Sequence, residues 1–189
     1  MKKLTRLLLI NWHYYSLEVI EFDDINFLTG KTGAGKTTII DAMQLVLLGD
    51  TNGQHFFNKA ANDRSRRTLK GYLRGEYGDD GQTGFLSLRE GPFSSYIACE
   101  FFDTEKERYF TLGVVFDCNF SVQDESTYFI LKDSIPENHF IEDETPLSIR
   151  ELKAYLKKNY DKNLFEFSES GRSYQSKIKS LFGGLRDNY

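Results

Sequence analysis

The sequence predicts an α/β fold in which a strand–loop–helix unit packs beside a subdomain built as an antiparallel β-meander. Two observations predict this fold. A glycine-rich loop at residues 30–35 separates an apolar stretch from a segment whose apolar residues recur at helical spacing. Three segments between residues 95 and 131 are rich in aromatic and β-branched residues and are separated by polar turns, as antiparallel strands are. The length of 189 residues suits one domain or one large lobe of a divided domain.

The composition excludes several classes of protein. Apolar residues make up 40% of the chain, which is enough for a core and excludes a disordered chain. The net charge of −4 means that any contact with DNA requires a local basic patch. Cys99 and Cys118 lie in apolar runs without metal-ligand spacing, which predicts reduced core thiols. We expect no membrane span and no signal peptide, because no apolar run approaches ~20 residues and the basic start has no cleavage site; a cytoplasmic location follows.

The first unit is predicted to span residues 1–50 and to begin with three strands. The apolar run 5–10 and the alternating segment 17–22 predict two strands that are joined by a tight turn. Residues 25–29 predict a third strand, which leads the chain into the glycine-rich loop.

A helix is predicted to follow the glycine-rich loop. Apolar residues recur three or four positions apart over residues 36–48, as they do along one face of a helix. Gly49 is typical of the residue that ends a helix.

The second unit, residues 51–84, is predicted to combine a basic helix with a glycine-rich loop. The helix is expected to end at Gly75, and a mobile loop is expected to follow it. Five basic side chains crowd into this unit: Arg64, Arg66, Arg67, Lys70 and Arg74. A solvated helix face and a contact with the phosphates of a nucleotide or of DNA both explain this cluster, so both interpretations stay open.

The third unit, residues 85–132, is predicted to be the β-meander, with strands at 95–102, 108–116 and 127–131. Residues 145–189 are predicted to form the last unit, which contains two helices. The first helix begins with the capping box Ser148–Glu151 and the second spans 173–181.

The glycine-rich loop predicts a nucleotide-binding site, because residues 30–37 fit the pattern G-x-x-x-x-G-K-[ST] without a mismatch. Glycines let phosphate oxygens approach the backbone N–H groups, and the start of the following helix points further N–H groups at the same phosphates. We therefore predict binding of ATP and Mg²⁺ by a P-loop. The predicted nucleotide-binding residues are Gly30, Lys31, Thr32, Gly33, Ala34, Gly35, Lys36, Thr37 and Thr38.

Two of these residues have specific predicted roles. Lys36 would reach the β- and γ-phosphates and is the candidate catalytic residue. The hydroxyl of Thr37 is the candidate Mg²⁺ ligand.

Other candidates have weaker support from the sequence. The segment Val114–Asp117 comes nearest to an apolar strand that ends in a carboxylate, but it belongs to the predicted meander. Asp41 fits a bracing role as well as a functional one, and Trp12 fits the edge of the core better than an adenine platform. Gln123 and Gln175 are both available as a Mg²⁺-contacting glutamine, and the choice stays open. We also find no Ser-Gly-Gly signature, which suggests that the remaining parts of an ATPase lie elsewhere in a longer polypeptide.

Parts of the sequence resemble the N-terminal head segment of SMC-type ABC ATPases, which include the SMC proteins, MukB, RecN and the SbcC-like repair ATPases. The first similar residues are Leu7–Asn11, Phe22, Asn26–Gly30 and Gly33–Ala42, which include most of the P-loop. Residues 41–50 and 64–75 resemble most the JetC family, the MukB-like condensin subunits of Wadjet anti-plasmid systems. The resemblance extends to about residue 116 and, more loosely, over residues 168–189.

The resemblance implies an N-terminal head lobe that is completed by a C-terminal lobe, expected outside these 189 residues beyond a long coiled coil. Two heads would then hold two ATP molecules between them, so ATP hydrolysis would require dimerisation and the isolated chain would be inactive. The implied partners are DNA, kleisin-like and other condensin subunits and a nuclease subunit, in DNA loop extrusion against plasmids, with no membrane. The resemblance assigns a nucleotide-sensing or DNA-contacting role to the cluster Arg64, Arg66, Arg67 and Lys70.

Three alternatives remain. The pair Lys31-Thr32 is similar to RecN loops and favours a RecN- or SbcC-like DNA-repair ATPase. A self-contained P-loop kinase or GTPase would instead be active as an isolated chain and would have an acceptor pocket. The last alternative is a structural lobe that binds partners, and binds nucleotide without hydrolysing it.

Overall fold

The computed structural model of the protein describes residues 1–50, 68–78, 86–119 and 124–183. In chain order the strands and helices are β1 (Lys2–Trp12), β2 (Tyr15–Glu21), α1 (Lys36–Leu48), α2 (Leu69–Arg74), β3 (Glu76–Tyr77), β4 (Leu86–Ser87), β5 (Phe93–Asp103), β6 (Arg108–Cys118), β7 (Glu125–Leu131), β8 (Ile141–Glu142), β9 (Thr145–Pro146), α3 (Ile149–Asn159), β10 (Phe165–Ser168) and α4 (Gly171–Gly183).

A six-stranded sheet with the strand order β10-β7-β6-β5-β1-β2 organises the described residues. Every neighbouring pair in this sheet is antiparallel. β1 pairs with β2 on one side and with β5 on the other, so it joins the N-terminal hairpin to the later strands. The hairpins β3–β4 and β8–β9 form separate two-stranded sheets.

The predicted β-meander is present as β5, β6 and β7, but its description as a separate subdomain is wrong. β5 continues the sheet by pairing with β1 from Lys2 opposite Asp103 to Ile10 opposite Tyr96. The cause is that both strands are apolar on both faces, as internal strands of a covered sheet are. The meander and the N-terminal hairpin therefore share one sheet.

The sheet has a hydrophobic core on each face. On one face, which we call the P-loop face, the sheet is covered by α1, α2 and α4, and Leu7, Leu9 and Val114 point into this core. On the other face, which we call the α3 face, Leu8 and Val115 pack against α3. Neighbouring residues of one strand enter opposite cores because side chains alternate across a sheet.

The helices confirm most of the predicted boundaries. α1 spans residues 36–48 as predicted, and Gly49 ends it in a left-handed conformation (φ 64°). α2 begins after Thr68, whose hydroxyl accepts from the Gly71 N–H (2.9 Å), and ends at Gly75 as predicted. The capping box of α3 is also confirmed, since the Ser148 hydroxyl accepts from the Glu151 N–H and the Glu151 carboxylate from the Ser148 N–H.

The predicted third strand at residues 25–29 is wrong. This segment belongs to no strand, and it has no pairing partner among the described residues. Its side chains Ile25 and Phe27 are 76% and 86% exposed, respectively. An alternating apolar segment forms a strand only where a neighbouring strand offers backbone hydrogen-bonding groups, and here none does.

α1 and α4 meet end to end on the P-loop face. A Cβ atom added to Gly171 would lie 2.2 Å from the carbonyl oxygen of Gly49, so the two backbones are in direct contact. The Gln175 side chain donates to the Leu48 carbonyl oxygen (2.6 Å). The last turn of the P-loop helix therefore packs directly on the first turns of α4.

Both cysteines are buried and free, as predicted, and burial raises the pKa of each thiol to about 12. Among the described residues, no helix has the length and apolar character that crossing a membrane would require.

Candidate nucleotide-binding site

The P-loop has the backbone conformation that its sequence predicts. Gly30, Gly33 and Gly35 have φ values of 153°, 86° and 85°, which favour glycine over residues with a side chain. The Ala34 N–H donates to the Lys31 carbonyl oxygen (3.1 Å), which closes the loop. The loop is exposed from residue 30 to residue 34, so a ligand can reach its backbone.

The start of α1 presents N–H groups to this loop. Gly35 is the N-cap residue and provides no side-chain cap, and the first turn of α1 contains no acidic residue. The first main-chain bond of the helix runs from the Ile39 N–H to the Gly35 carbonyl oxygen (3.2 Å). The N–H groups before it have no partner within the helix, and they combine with the positive end of the helix dipole to favour an anion. This geometry fits a nucleotide phosphate.

Lys36 lies over the loop that it is predicted to serve. Its ammonium group donates to the carbonyl oxygens of Gly30 and of Lys31 (2.9 Å to the latter). A bound phosphate would offer the ammonium group a charged acceptor, which is a stronger partner than a carbonyl oxygen. The side chain is therefore already positioned beside the space that a phosphate would occupy.

The two threonines that follow differ in exposure. Thr37 is partly exposed at the start of α1, where its hydroxyl could bind a Mg²⁺ ion held by the phosphates. Thr38 is buried, and its carbonyl oxygen accepts from Trp12 Nε1 (3.1 Å). Trp12 is fully buried in the core, whereas the sequence predicted the edge of the core, and it stacks on Tyr72 with ring centroids 4.7 Å apart.

Residues 4–64 match the family described as "P-loop containing region of AAA domain". The chain contains a P-loop nucleotide-binding region. The match covers less than half of the 189 residues, and it includes both the glycine-rich loop and α1. A P-loop region of this type suggests a nucleotide hydrolase that uses ATP, usually with Mg²⁺. No curated protein matches the sequence significantly.

Asp41 has a bracing position one turn beyond Thr37. It is fully buried, and its Oδ2 accepts from the Tyr72 hydroxyl (2.5 Å). The P-loop helix is therefore linked to α2 through a buried carboxylate.

The basic cluster is only partly described. Arg64, Arg66 and Arg67 lie outside the described residues, and Lys70 is exposed on α2. Arg74 is 3% exposed, lies over the Phe93 ring and pairs with Asp124 (3.3 Å), so an exposed helix face does not include it. A cation of this kind is stable in the core because it has a carboxylate and an aromatic face as neighbours.

The other sequence candidates lie away from the P-loop or outside the described residues. The Asp117 carboxylate accepts hydrogen bonds from the Ile149 N–H (3.1 Å) and from the Ser94 hydroxyl (2.8 Å). It therefore stabilises the start of α3, on the opposite face of the sheet. The Gln175 side chain donates to the C-terminal end of α1, whereas the P-loop lies at the N-terminal end of this helix. Gln123 lies outside the described residues.

Two residues at the turn between β1 and β2, one of which contacts the P-loop, were not predicted from the sequence. The Tyr15 hydroxyl lies against Gly35, where an added Cβ would be 2.9 Å from it, and burial is the main cause that raises its pKa. The Arg89 guanidinium binds backbone oxygens of the β1–β2 turn, and burial lowers its pKa. No spacing rule connects either residue to the P-loop motif, so only the folded chain reveals them.

Proposed function

We propose that the chain is the ATP·Mg²⁺-binding N-terminal lobe of an SMC-like head. In this proposal Lys36 contacts the β- and γ-phosphates, Thr37 ligates Mg²⁺ and the loop from Gly30 to Gly35 surrounds the phosphates through its N–H groups. The observation that carries the proposal is the uncapped start of α1 beside three glycines with positive φ. A Ser, Thr, Asp or Asn cap would occupy one of these N–H groups, whereas Gly35 leaves them available to phosphate oxygens.

An exposed apolar surface supports the part of the proposal that concerns a second lobe. Ile25 and Phe27 precede the P-loop in an exposed segment that pairs with no strand among the described residues. The outer side of α1 exposes Ile40, Leu47 and Leu48. An apolar surface next to unpaired backbone is suited to a partner that supplies both a strand and apolar side chains. We propose that the C-terminal lobe of the same head is this partner.

The role in a cell is proposed from the family resemblance together with this surface. Two complete heads would close on two ATP molecules, and the assembly would act on DNA with kleisin-like and other condensin subunits. For a JetC-like protein the outcome would be DNA loop extrusion in plasmid defence, with cleavage by a separate nuclease subunit. The exposed Lys70 on α2 is the described member of the proposed nucleotide-sensing or DNA-contacting cluster.

The first test measures nucleotide binding by the 189-residue chain with a fluorescent ATP analogue, with and without Mg²⁺. The wild-type chain is expected to bind the analogue, and Lys36→Ala is expected to lose this binding. In Thr37→Ala, binding of the analogue should depend much less on Mg²⁺ than in wild type. Lys158→Ala is the matched control, because Lys158 is exposed on α3 at the other face of the sheet. Unchanged binding by Lys36→Ala would refute the proposed site.

The second test measures ATP turnover, which distinguishes the head from the alternatives. We expect no turnover by the chain alone, and turnover after addition of a polypeptide that supplies the second lobe. Stimulation by circular DNA would favour plasmid defence, whereas stimulation by DNA ends would favour the RecN- or SbcC-like alternative. Sustained turnover by the chain alone would favour a self-contained P-loop enzyme.

A further inference from the structure

The turn between β1 and β2, residues 11–15, contacts the start of the P-loop helix at two places. Trp12 Nε1 donates to the carbonyl oxygen of Thr38 (3.1 Å). The Tyr15 hydroxyl lies against Gly35, close enough that a Cβ at Gly35 would be 2.9 Å away. These two contacts flank Lys36 and Thr37 in the sequence. The position of the turn therefore helps to fix the position of the helix start.

Two residues of this turn have a left-handed backbone conformation. Asn11 and His13 have φ values of 51° and 48°, in the left-handed region that few residues with side chains adopt, although Asn and His adopt it more often than most. The conformation has a visible effect on the side chains. Ile10 lies in the core of the α3 face, whereas Trp12, two residues later, lies in the core of the P-loop face. A regular strand would place both side chains on the same face.

Arg89 holds this turn in place. One terminal nitrogen of its guanidinium donates to the carbonyl oxygens of His13 (2.8 Å) and Leu73 (3.1 Å). The other donates to the Tyr15 carbonyl oxygen (3.0 Å), and Nε donates to Asn11 Oδ1 (3.3 Å).

The geometry of these bonds is specific to arginine. The planar guanidinium reaches three parts of one turn at once, which a lysine ammonium group on a flexible chain does not reproduce. The same bonds attach the turn to the end of α2 through Leu73.

We infer that Arg89 is a positioning residue of the nucleotide site, acting through the turn formed by residues 11–15. The inference rests on the proposed function of the P-loop. Arg89 stabilises the left-handed residues of the turn, the turn directs Trp12 and Tyr15 toward α1, and these two side chains hold the first turn of α1 in the conformation that receives phosphate. Loss of the guanidinium should therefore weaken nucleotide binding without removing any group that contacts the nucleotide.

The test combines two measurements on the full 189-residue chain. The dissociation constant of a fluorescent ATP analogue is measured well below the unfolding temperature for wild type, Arg89→Lys, Arg89→Gln and the matched control Arg150→Gln. Arg150 is exposed at the start of α3, on the opposite face of the sheet. In parallel, 3-fluorotyrosine at position 15 reports the surroundings of the Tyr15 ring by fluorine NMR.

We expect Arg89→Gln and Arg89→Lys to raise the dissociation constant about tenfold, as loss of a residue that orients ligating groups does at metal sites. The fluorine resonance should shift on nucleotide addition in wild type, and should already be displaced in both Arg89 variants before nucleotide is added. Arg150→Gln should behave as wild type in both measurements.

A second pair of variants, based on the milder change Arg89→Lys, keeps the inference testable if Arg89→Gln fails to fold. Trp12→Phe removes the indole donor to Thr38 while leaving Arg89 in place, and it is expected to weaken binding too. If Arg89 acts through the turn, the double variant Arg89→Lys/Trp12→Phe should lose less affinity than the sum of the two single changes in binding free energy.

The outcomes separate the inference from the proposed function. Failure of wild type to bind nucleotide would refute both. Wild-type affinity in folded Arg89→Lys, or full additivity with Trp12→Phe, would overturn the inference while the proposed P-loop site stands. A lower unfolding temperature with unchanged affinity and an undisplaced fluorine resonance would mean that Arg89 is a structural residue only.

Discussion

The two faces of the sheet differ in how completely they are covered. On the α3 face, Leu152 and Leu156 are fully buried against the sheet, and the loop that carries Ile135 and Phe140 closes the same core. On the P-loop face, α1 buries one side but exposes Ile40, Leu47 and Leu48 on the other, and the segment before the P-loop is exposed.

This difference indicates that one face of the sheet mainly stabilises the fold and the other mainly binds other molecules. The α3 face is closed by buried apolar side chains of α3 and of the loop that carries Ile135 and Phe140. On the P-loop face, the N–H groups at the start of α1 have no side-chain cap and the outer side of α1 exposes apolar side chains, while the Lys36 ammonium group is bonded only to backbone carbonyl oxygens of the loop among the described residues. We therefore expect mutations on the α3 face to change stability, and mutations on the outer side of the P-loop face to change binding.

The largest effect on stability is expected for Leu152→Ala in α3. The side chain is fully buried, and truncation of a buried leucine costs about 2–5 kcal/mol because it leaves a cavity. Urea denaturation followed by circular dichroism measures the free energy of unfolding. A loss below about 1 kcal/mol would mean that α3 does not close this face as tightly as its burial indicates.

The next effect concerns Glu100, a buried carboxylate on the α3 face. Its oxygens accept from Arg6, from the Thr5 hydroxyl (2.7 Å) and from the Ile135 N–H (3.0 Å). Burial raises the pKa of Glu100, but these hydrogen bonds outweigh burial and hold the pKa below its ordinary value of 4.5. We expect Glu100→Gln to reduce the free energy of unfolding by about 1–3 kcal/mol at pH 7.

The pH dependence sharpens this prediction. Because the folded pKa is lowered, the contribution of Glu100 is fully present above about pH 4.5 and is lost as pH falls through the folded pKa. The difference between wild type and Glu100→Gln should therefore shrink in acid. Glu137→Gln is the control, since Glu137 is exposed on the same loop as Ile135. A difference that stays constant down to pH 2 would contradict an ionised Glu100.

A smaller effect is expected at the cap of α3. Ser148→Ala removes the side-chain half of the capping box and should cost about 1 kcal/mol. Thermal unfolding measures the change, and Ser16→Ala at an exposed position of β2 serves as the control. Equal stability of the two variants would show that α3 is held by its apolar face alone.

The smallest effect on stability is expected for Leu47→Ala on the outer side of α1. This leucine is partly exposed, so the free energy of unfolding should change by no more than about 0.5 kcal/mol. The same variant should bind the proposed second lobe more weakly in a titration followed by calorimetry. A loss of stability equal to that of Leu152→Ala would remove the distinction between the two faces.

Local patterns predicted the parts of the fold that depend on local interactions. Residues 36–49 contain a complete helix signal, with helical spacing and a terminal glycine, and the structure confirms it. The capping box of α3 is equally local, because Ser148 and Glu151 satisfy each other. The P-loop was found in the same way, since its glycines and Lys36 are adjacent in the sequence.

Features that depend on distant residues were missed. Arg74 was grouped with exposed cations because its partner Asp124 lies fifty positions away in the sequence. The strand β10 went unpredicted because four residues give a weak periodic signal, and only pairing with β7 makes them a strand. Residues 25–29 gave the opposite error, since their pattern is that of a strand whose partner is absent from the described residues. Arg89 was missed for the same reason as the pairing of Arg74, because its partners His13 and Tyr15 are distant in the sequence.

The pairing of β1 with β5 has a consequence for how the chain is made. Lys2 is paired with Asp103, and the P-loop helix is synthesised before the strands β5 and β6 on which it packs. At ordinary rates of translation, the interval between residue 50 and residue 103 lasts roughly 3–10 s. Throughout that time Leu7 and Leu9 lack the strand that will cover their edge of the hairpin. The P-loop helix therefore completes its packing only after β5 and β6 have been made.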